Sequence, residues 1–236
     1  MSASTPIVLV HGAWHGAWCY AGLQHALDDL GLPSYAIDLP GHGISTEPLG
    51  TLHSDAAAVA AVLRGLGTPA VLVGHSYGGA VITEAATLHP DVAHLVYLTA
   101  FALDAGESIM SLLTSLPRAD VALGPAIRPN ADGTSTVDPA LAATAFYGHC
   151  SAAVVEAALP RLGLHPMGTF TDSVTGSPRS HIPSTYVRCT LDQAIHLSHQ
   201  DAMAARCGTV HTLETDHSPF ASATAATAGI LQGIVG

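Results

Sequence analysis

Hydrophobic positions along the chain fall into short continuous runs, separated by longer stretches in which apolar residues recur at helical spacing. Residues 7–11 (IVLVH) are apolar until the last position, the pattern of a strand buried on both faces. Residues 17–31 then carry apolar side chains three and four apart and end in glycine, which predicts a helix. Residues 34–43 read as strand then loop, 53–67 as an alanine-rich helix, and 70–75 as a second fully buried strand. Residues 76–90 predict a helix that stops before proline, and 94–101 another strand. Such alternation is what a parallel sheet covered on both faces requires.

The alternation breaks between Leu103 and Pro183, where Gly, Pro, Ser and Thr are frequent and helices are predicted only around 108–116 and 151–162. A structureless loop of that length is rare in a compact domain, so the segment is expected to form an inserted cap. Strand patterns resume at 184–192 and 208–214. A final helix is predicted to open with Ser218 as N-cap and Pro219 at its first position. The expected division is a core of residues 1–102 and 184–236, with a cap of residues 103–183.

Composition narrows the possible partners. The 236 residues are 48% hydrophobic, enough for one sizeable core, and only 11% charged. The net charge is −11, lysine is absent, and all seven basic residues are arginines. Nucleic acid and anionic membrane are therefore excluded as partners, and phosphate-rich ligands are disfavoured. Four scattered cysteines without a CxxC pair read as small buried hydrophobes. The opening MSASTP lacks the basic and apolar regions of a secretory signal, and no apolar run reaches membrane-span length, so a cytoplasmic location is expected.

The candidate chemistry centres on Gly74-His75-Ser76-Tyr77-Gly78, a G-x-S-x-G placed where a predicted strand hands over to a helix. Small residues on both sides let the chain turn sharply and expose the serine hydroxyl beside a helix N-terminus, whose free N–H groups suit a developing oxyanion. A serine hydroxyl needs a base, and the base an orienting acid. Among fifteen histidines, His217 lies between the last strand and the last helix. His75 adjoins Ser76 and must point elsewhere, and His11 is read as packing under the first loop. Asp192, after the penultimate strand, is the preferred acid. Asp104, after the preceding strand, is the alternative, while Asp216 is too close to His217 to turn back. In an elbow of this kind one oxyanion donor is the N–H after the nucleophile, here Tyr77, and the second comes from the loop after the first strand, here Ala13. Gly12 and Trp14 are candidates to border the substrate, with Phe146 and Tyr147 of the cap, and Leu112, Leu113 and Met167 are further candidates for an apolar pocket. Trp18 is read as helix packing. HxH and HExxH are absent, and neither HGAWH nor HLSH comes with a carboxylate partner set, so no metal and no cofactor are expected.

Together, VLVHGAWHGAWCY, DLPGHG, VLVGHSYGGAV, YVRCTLDQAI and DHSPF resemble the α/β-hydrolase superfamily, and especially its branch of plant methyl esterases, hydroxynitrile lyases and bacterial relatives. The likeness runs from Pro6 to the C-terminus and is weakest in the cap. It implies an α/β-hydrolase fold with a six-stranded, mostly parallel sheet, flanking helices and a helical cap, lacking the first two strands of larger relatives. It also implies Ser76 as nucleophile, His217 as base, Asp192 as acid, and Ala13 and Tyr77 as oxyanion donors. Lyases of this branch keep a lysine beside the histidine and a threonine in the oxyanion loop. Here Ser218 follows His217, the loop is Gly12-Ala13, and lysine is absent. The expected activity is hydrolysis of a small to mid-sized apolar ester, and a lactone or thioester would suit the same machinery. A non-hydrolytic binder or secondary-metabolism enzyme on the same fold is the alternative. The expected partner is the small-molecule substrate, with a homodimer admitted.

Overall fold

A computed structural model describes residues 4–236. The chain runs through β1 (Ile7–Val10), a 3₁₀ turn (Ala17–Tyr20), α1 (Ala21–Asp29), β2 (Ser34–Ile37), α2 (Leu52–Leu66), β3 (Ala70–Ser76), α3 (Gly78–Leu88) and β4 (Val92–Ala100). An insertion follows, with α4 (Ile109–Ser115), α5 (Leu123–Ala126), β5 (Ile127–Pro129), β6 (Thr134–Val137), α6 (Pro139–Tyr147), α7 (Ala152–Ala158) and β7 (His165–Pro166). The chain returns through β8 (Ser184–Cys189), α8 (Leu197–Ala204), β9 (Thr209–Leu213), α9 (Pro219–Ser222) and α10 (Thr224–Val235).

Six strands form one sheet in the order β2-β1-β3-β4-β8-β9, every pair parallel. The continuous apolar runs are explained by two-sided burial. Val8, Val10 and Leu72 face one core, with Leu52, Val59 and Leu63 of α2, while Ile7, Leu9, Val71 and Val73 face the other, with Leu23 and Leu27 of α1 and Leu231 of α10. The insertion joins the first core through Ile109, Leu112, Ala142 and Phe146, so it packs over the α2–α3 face. No helix among the described residues is long and apolar enough to cross a membrane.

Three details differ from the sequence reading. The insertion is not purely helical: β5, β6 and β7 form a small antiparallel sheet within it. Helices α6 and α8 were not expected from the hydrophobic pattern. The C-terminal helix is broken at Ala223 (φ −137°, ψ 41°) into α9 and α10, and the Ser218 hydroxyl makes no cap hydrogen bond although Pro219 takes the first helical position.

Candidate active site

The glycines around Ser76 are required by close backbone approach. A Cβ at Gly74 would fall 2.4 Å from the Gly78 carbonyl oxygen, and one at Gly78 would fall 2.5 Å from that of Val10. The chain therefore folds back tightly between β3 and α3, and Ser76 at the tip adopts a left-handed φ of 52°. Only two other non-glycine residues among those described have positive φ: Trp14 (63°) and Thr99 (39°). Trp14 stands in the loop after β1, and the Thr99 hydroxyl donates to Asp192. The backbone strain of the fold is thus gathered around one place. Gly12 is pressed against the elbow, since a Cβ there would lie 2.9 Å from Ser76 Cβ and 3.0 Å from His75 Nδ1. The N–H groups of Ala13 and Tyr77 donate to no carbonyl in the surrounding turns.

The loop after β8 supplies Asp192, and the loop after β9 supplies His217, both buried. His217 Nδ1 donates to Asp192 Oδ2 at 2.7 Å. Oδ2 also accepts from the Thr99 hydroxyl at 2.5 Å and the Gln200 amide at 3.3 Å, while Oδ1 accepts from the N–H of Ala194 (2.6 Å) and Ile195 (2.9 Å). The other imidazole nitrogen of His217, Nε2, makes no hydrogen bond within the described chain. His75 Nε2 donates to the His217 carbonyl at 2.7 Å, and the two rings lie 4.5 Å apart, which fastens the histidine loop to the residue beside Ser76. The two rival acids are elsewhere. Asp104 pairs with Arg179 at 2.5 Å and Arg206 at 3.4 Å. Asp216 accepts from the Ser218 N–H, the Ser222 hydroxyl and the His149 N–H, tying the histidine loop to α9 and to the α6–α7 corner. His11 packs under the first loop, its Nε2 accepting from the Leu39 N–H at 3.1 Å. Thr99, Gln200 and His75 are the contributors that sequence reasoning missed.

Ser76 opens into a cavity of about 180 Å³. Ala13, Trp14 and Tyr77 border it on the sheet side; Ile109, Leu113, Leu123, Ile127 and Phe170 of the insertion border it on the other. No charged side chain lines it, and the one further hydroxyl on its walls, that of Tyr77, is turned away to Asp55 Oδ2 at 2.6 Å. Of the expected pocket residues, Trp14 and Leu113 are in the wall, and the Trp14 indole N–H donates to Ser135 of β6 at 3.1 Å. Gly12 lies behind Ser76. Phe146 lies behind the wall, packed on Trp14 (6.1 Å) and His217 (5.9 Å). Leu112 is core, and Met167 does not line the cavity. Tyr147 is a correction: its hydroxyl bonds His15 Nε2 at 2.7 Å, and its ring borders a different cavity, together with Trp18. A helix whose adjacent residues are both buried must send their side chains to different faces.

A chain of buried histidines runs from the pair, His75 against His217 and His15 against His75. Burial pushes His11 down to about 3 and His15 to about 4, and holds His75 and His165 well below the ordinary imidazole value. His42, lowered by burial as well, meets His165 Nδ1 at 3.0 Å. Burial raises the Asp55 carboxyl to about 7, and with it the Tyr77 hydroxyl is held neutral.

Residues 7–230 match the alpha/beta hydrolase family, and the chain belongs to it. Its relatives include a carbendazim-hydrolysing esterase of Nocardioides, 40% identical over 121 residues that make up 45% of this chain and 46% of that one. Methylesterase 9 of Arabidopsis thaliana is 27% identical over 91% of this chain and 92% of its own length, in keeping with the plant branch implied by the motifs. Among solved structures, a pyrethroid hydrolase from Sphingobium faniae superposes with a TM-score of 0.85 at 25% identity, covering 98% of this chain and 97% of that one.

Proposed function

We propose that the protein is a serine esterase acting on small to mid-sized, uncharged apolar carboxylic esters through an acyl-enzyme, with residues 103–183 as the cap over its site. One observation carries the reading: a strained serine opens into a cavity without charge, and His75 beside it holds the loop of a buried His217–Asp192 pair. Ser76 Oγ attacks the ester carbonyl carbon, and its proton passes to His217 Nε2, the nitrogen left free when Nδ1 serves Asp192. Negative charge developing on the carbonyl oxygen is met by the N–H groups of Ala13 and Tyr77. Collapse expels the alcohol, which takes the proton from His217. Water repeats the sequence on the acyl-enzyme and releases the acid. The absence of lysine removes the cation that a cyanide-releasing lyase would place beside His217. The relatives named as esterases support the reaction class, and the apolar walls support an uncharged substrate. A cytoplasmic setting belongs to the same proposal, supported by four unpaired thiols.

Treatment with a fluorophosphonate and mapping of the adduct by mass spectrometry test the reading. The expected adduct is on Ser76, with turnover of neutral aryl and alkyl esters lost in Ser76→Ala. Folded protein that hydrolyses none of an ester panel and takes no label at Ser76 would refute it.

A further inference from the structure

The second copy of Gly-Ala-Trp, residues 16–18, has no part in the site above, yet Trp18 borders a separate cavity of about 280 Å³. The cavity lies between the 3₁₀ turn, α1, α7 and the α9–α10 corner. Trp18, Tyr147 and Phe220 give it aromatic walls, and its width comes from small residues on three helices, among them Gly22, Ala157 and Ala221. A Cβ at Gly22 would meet nothing within 4 Å, so the space is open on that side. Arg161 stands at the edge with its guanidinium carbon 4.6 Å from the Trp18 ring centroid. Five of the seven arginines form ion pairs with Asp or Glu. Arg161 makes neither an ion pair nor a hydrogen bond among the described residues. Asp38, in the adjoining groove, is occupied by the N–H groups of Ala17 and Ile44. The Trp18 indole N–H is buried without an acceptor. Burial keeps the neighbouring Cys19 thiol neutral, so it contributes no opposing charge.

A guanidinium that sits on an aromatic wall and is hydrogen-bonded to no carboxylate, in a chain of net charge −11, has the chemistry of a recognition element. Its planar donor fork suits a carboxylate, and the aromatic walls suit a flat apolar body. We infer that this cavity is a second ligand site, which takes an amphipathic monocarboxylate with its carboxylate on Arg161 and its flat apolar body among Trp18, Tyr147 and Phe220. The site backs onto the His217 anchor. The Tyr147 hydroxyl meets His15, and the Phe220 ring lies 5.0 Å from that of His75, which holds the His217 carbonyl. The inference needs no reaction at Ser76.

Calorimetric titration of the full chain with 2-naphthoate tests it, with 2-naphthamide as the uncharged control. Wild type is expected to bind the acid at least about tenfold more tightly than the amide, and Arg161→Gln to weaken the acid by at least about tenfold, with Arg161→Lys recovering part of the loss. Gly22→Phe, which fills the cavity, is expected to abolish binding, whereas Leu113→Trp, which fills the Ser76 cavity, leaves it unchanged. Ala157→Trp serves as a second filling variant, and circular dichroism checks the fold of each. Equal affinity of wild type and Arg161→Gln overturns the inference. So does loss of binding in Leu113→Trp but not in the filling variants, or no binding to wild type at millimolar acid.

Discussion

Asp192 accepts hydrogen bonds from His217, Thr99, Gln200 and the N–H groups of Ala194 and Ile195, so its carboxylate has one orientation and fixes one His217 tautomer. Asn at this position keeps the shape and loses the acceptor that holds Nδ1–H. Asp192→Asn is therefore expected to lower kcat for an apolar ester by about 10⁴ with the fold intact. Asp104→Asn should leave kcat within about twofold, because that carboxylate serves Arg179 and Arg206 rather than the imidazole. Steady-state assays of the two variants decide the assignment, and a reversed ranking would move the acid to Asp104. Gly12→Ala probes the other side of the elbow. Its Cβ would press on Ser76 Cβ and the His75 ring, displacing the proposed nucleophile and the Ala13 N–H together. A loss of about 10²–10³ in kcat is expected, the size of one missing oxyanion donor.

At the scale of elements, local signals decided what could be read from the chain. The sheet strands were legible because two-sided burial leaves no polar position to interrupt them, and Ser76 was legible because a glycine-flanked serine sat where strand period gave way to helix period. Asp192 and His217 could be placed by their position after strands. What orients them could not: Thr99 and Gln200 reach Asp192 from β4 and α8, and nothing local in either segment marks that contact. Helix α8 was hidden because the residues it buries include His199 and Gln200, so its inward face does not read as apolar. Helix α6 had a signal that the hydrophobic pattern could not carry, Asp138 capping the Ala140 N–H ahead of Pro139. Capping also gives a measurable contribution in α2, where Thr51 and Ser54 form a reciprocal box at the N-terminus. Thr51→Ala is expected to lower the unfolding free energy by about 1 kcal/mol in urea titrations without changing kcat, since the one hydrogen bond between α2 and a described residue of the site is that of Tyr77 to Asp55, a turn further along.

Across the whole molecule, five of the fifteen histidines are buried as neutral packing, and His75 among them lies against His217, the one that changes charge in the proposed cycle. In the proposed cycle His217 becomes an imidazolium, and neighbours that stay uncharged do not repel it. The same arrangement sets how stability depends on pH. His11, His15, His42, His75 and His165 have folded values below the ordinary 6.5. Their contribution is complete above 6.5 and is lost as pH falls toward the folded values, because the unfolded chain takes up protons that the fold refuses. Asp55 acts in the opposite sense. Its carboxyl rises from 3.8 to about 7, so its contribution is complete below 3.8 and is lost as pH rises toward 7. Five imidazoles outweigh one carboxyl, each group contributing a slope of up to about 1.4 kcal/mol per pH unit. Stability from urea unfolding should therefore fall steeply from pH 6.5 to 4.5 and level off above 7. Asp55→Asn should steepen the acid side by removing the one opposing group. A flat profile between pH 4.5 and 7.5 would mean that these histidines are protonated within the fold, and a neutral His75 beside His217 would have to be abandoned.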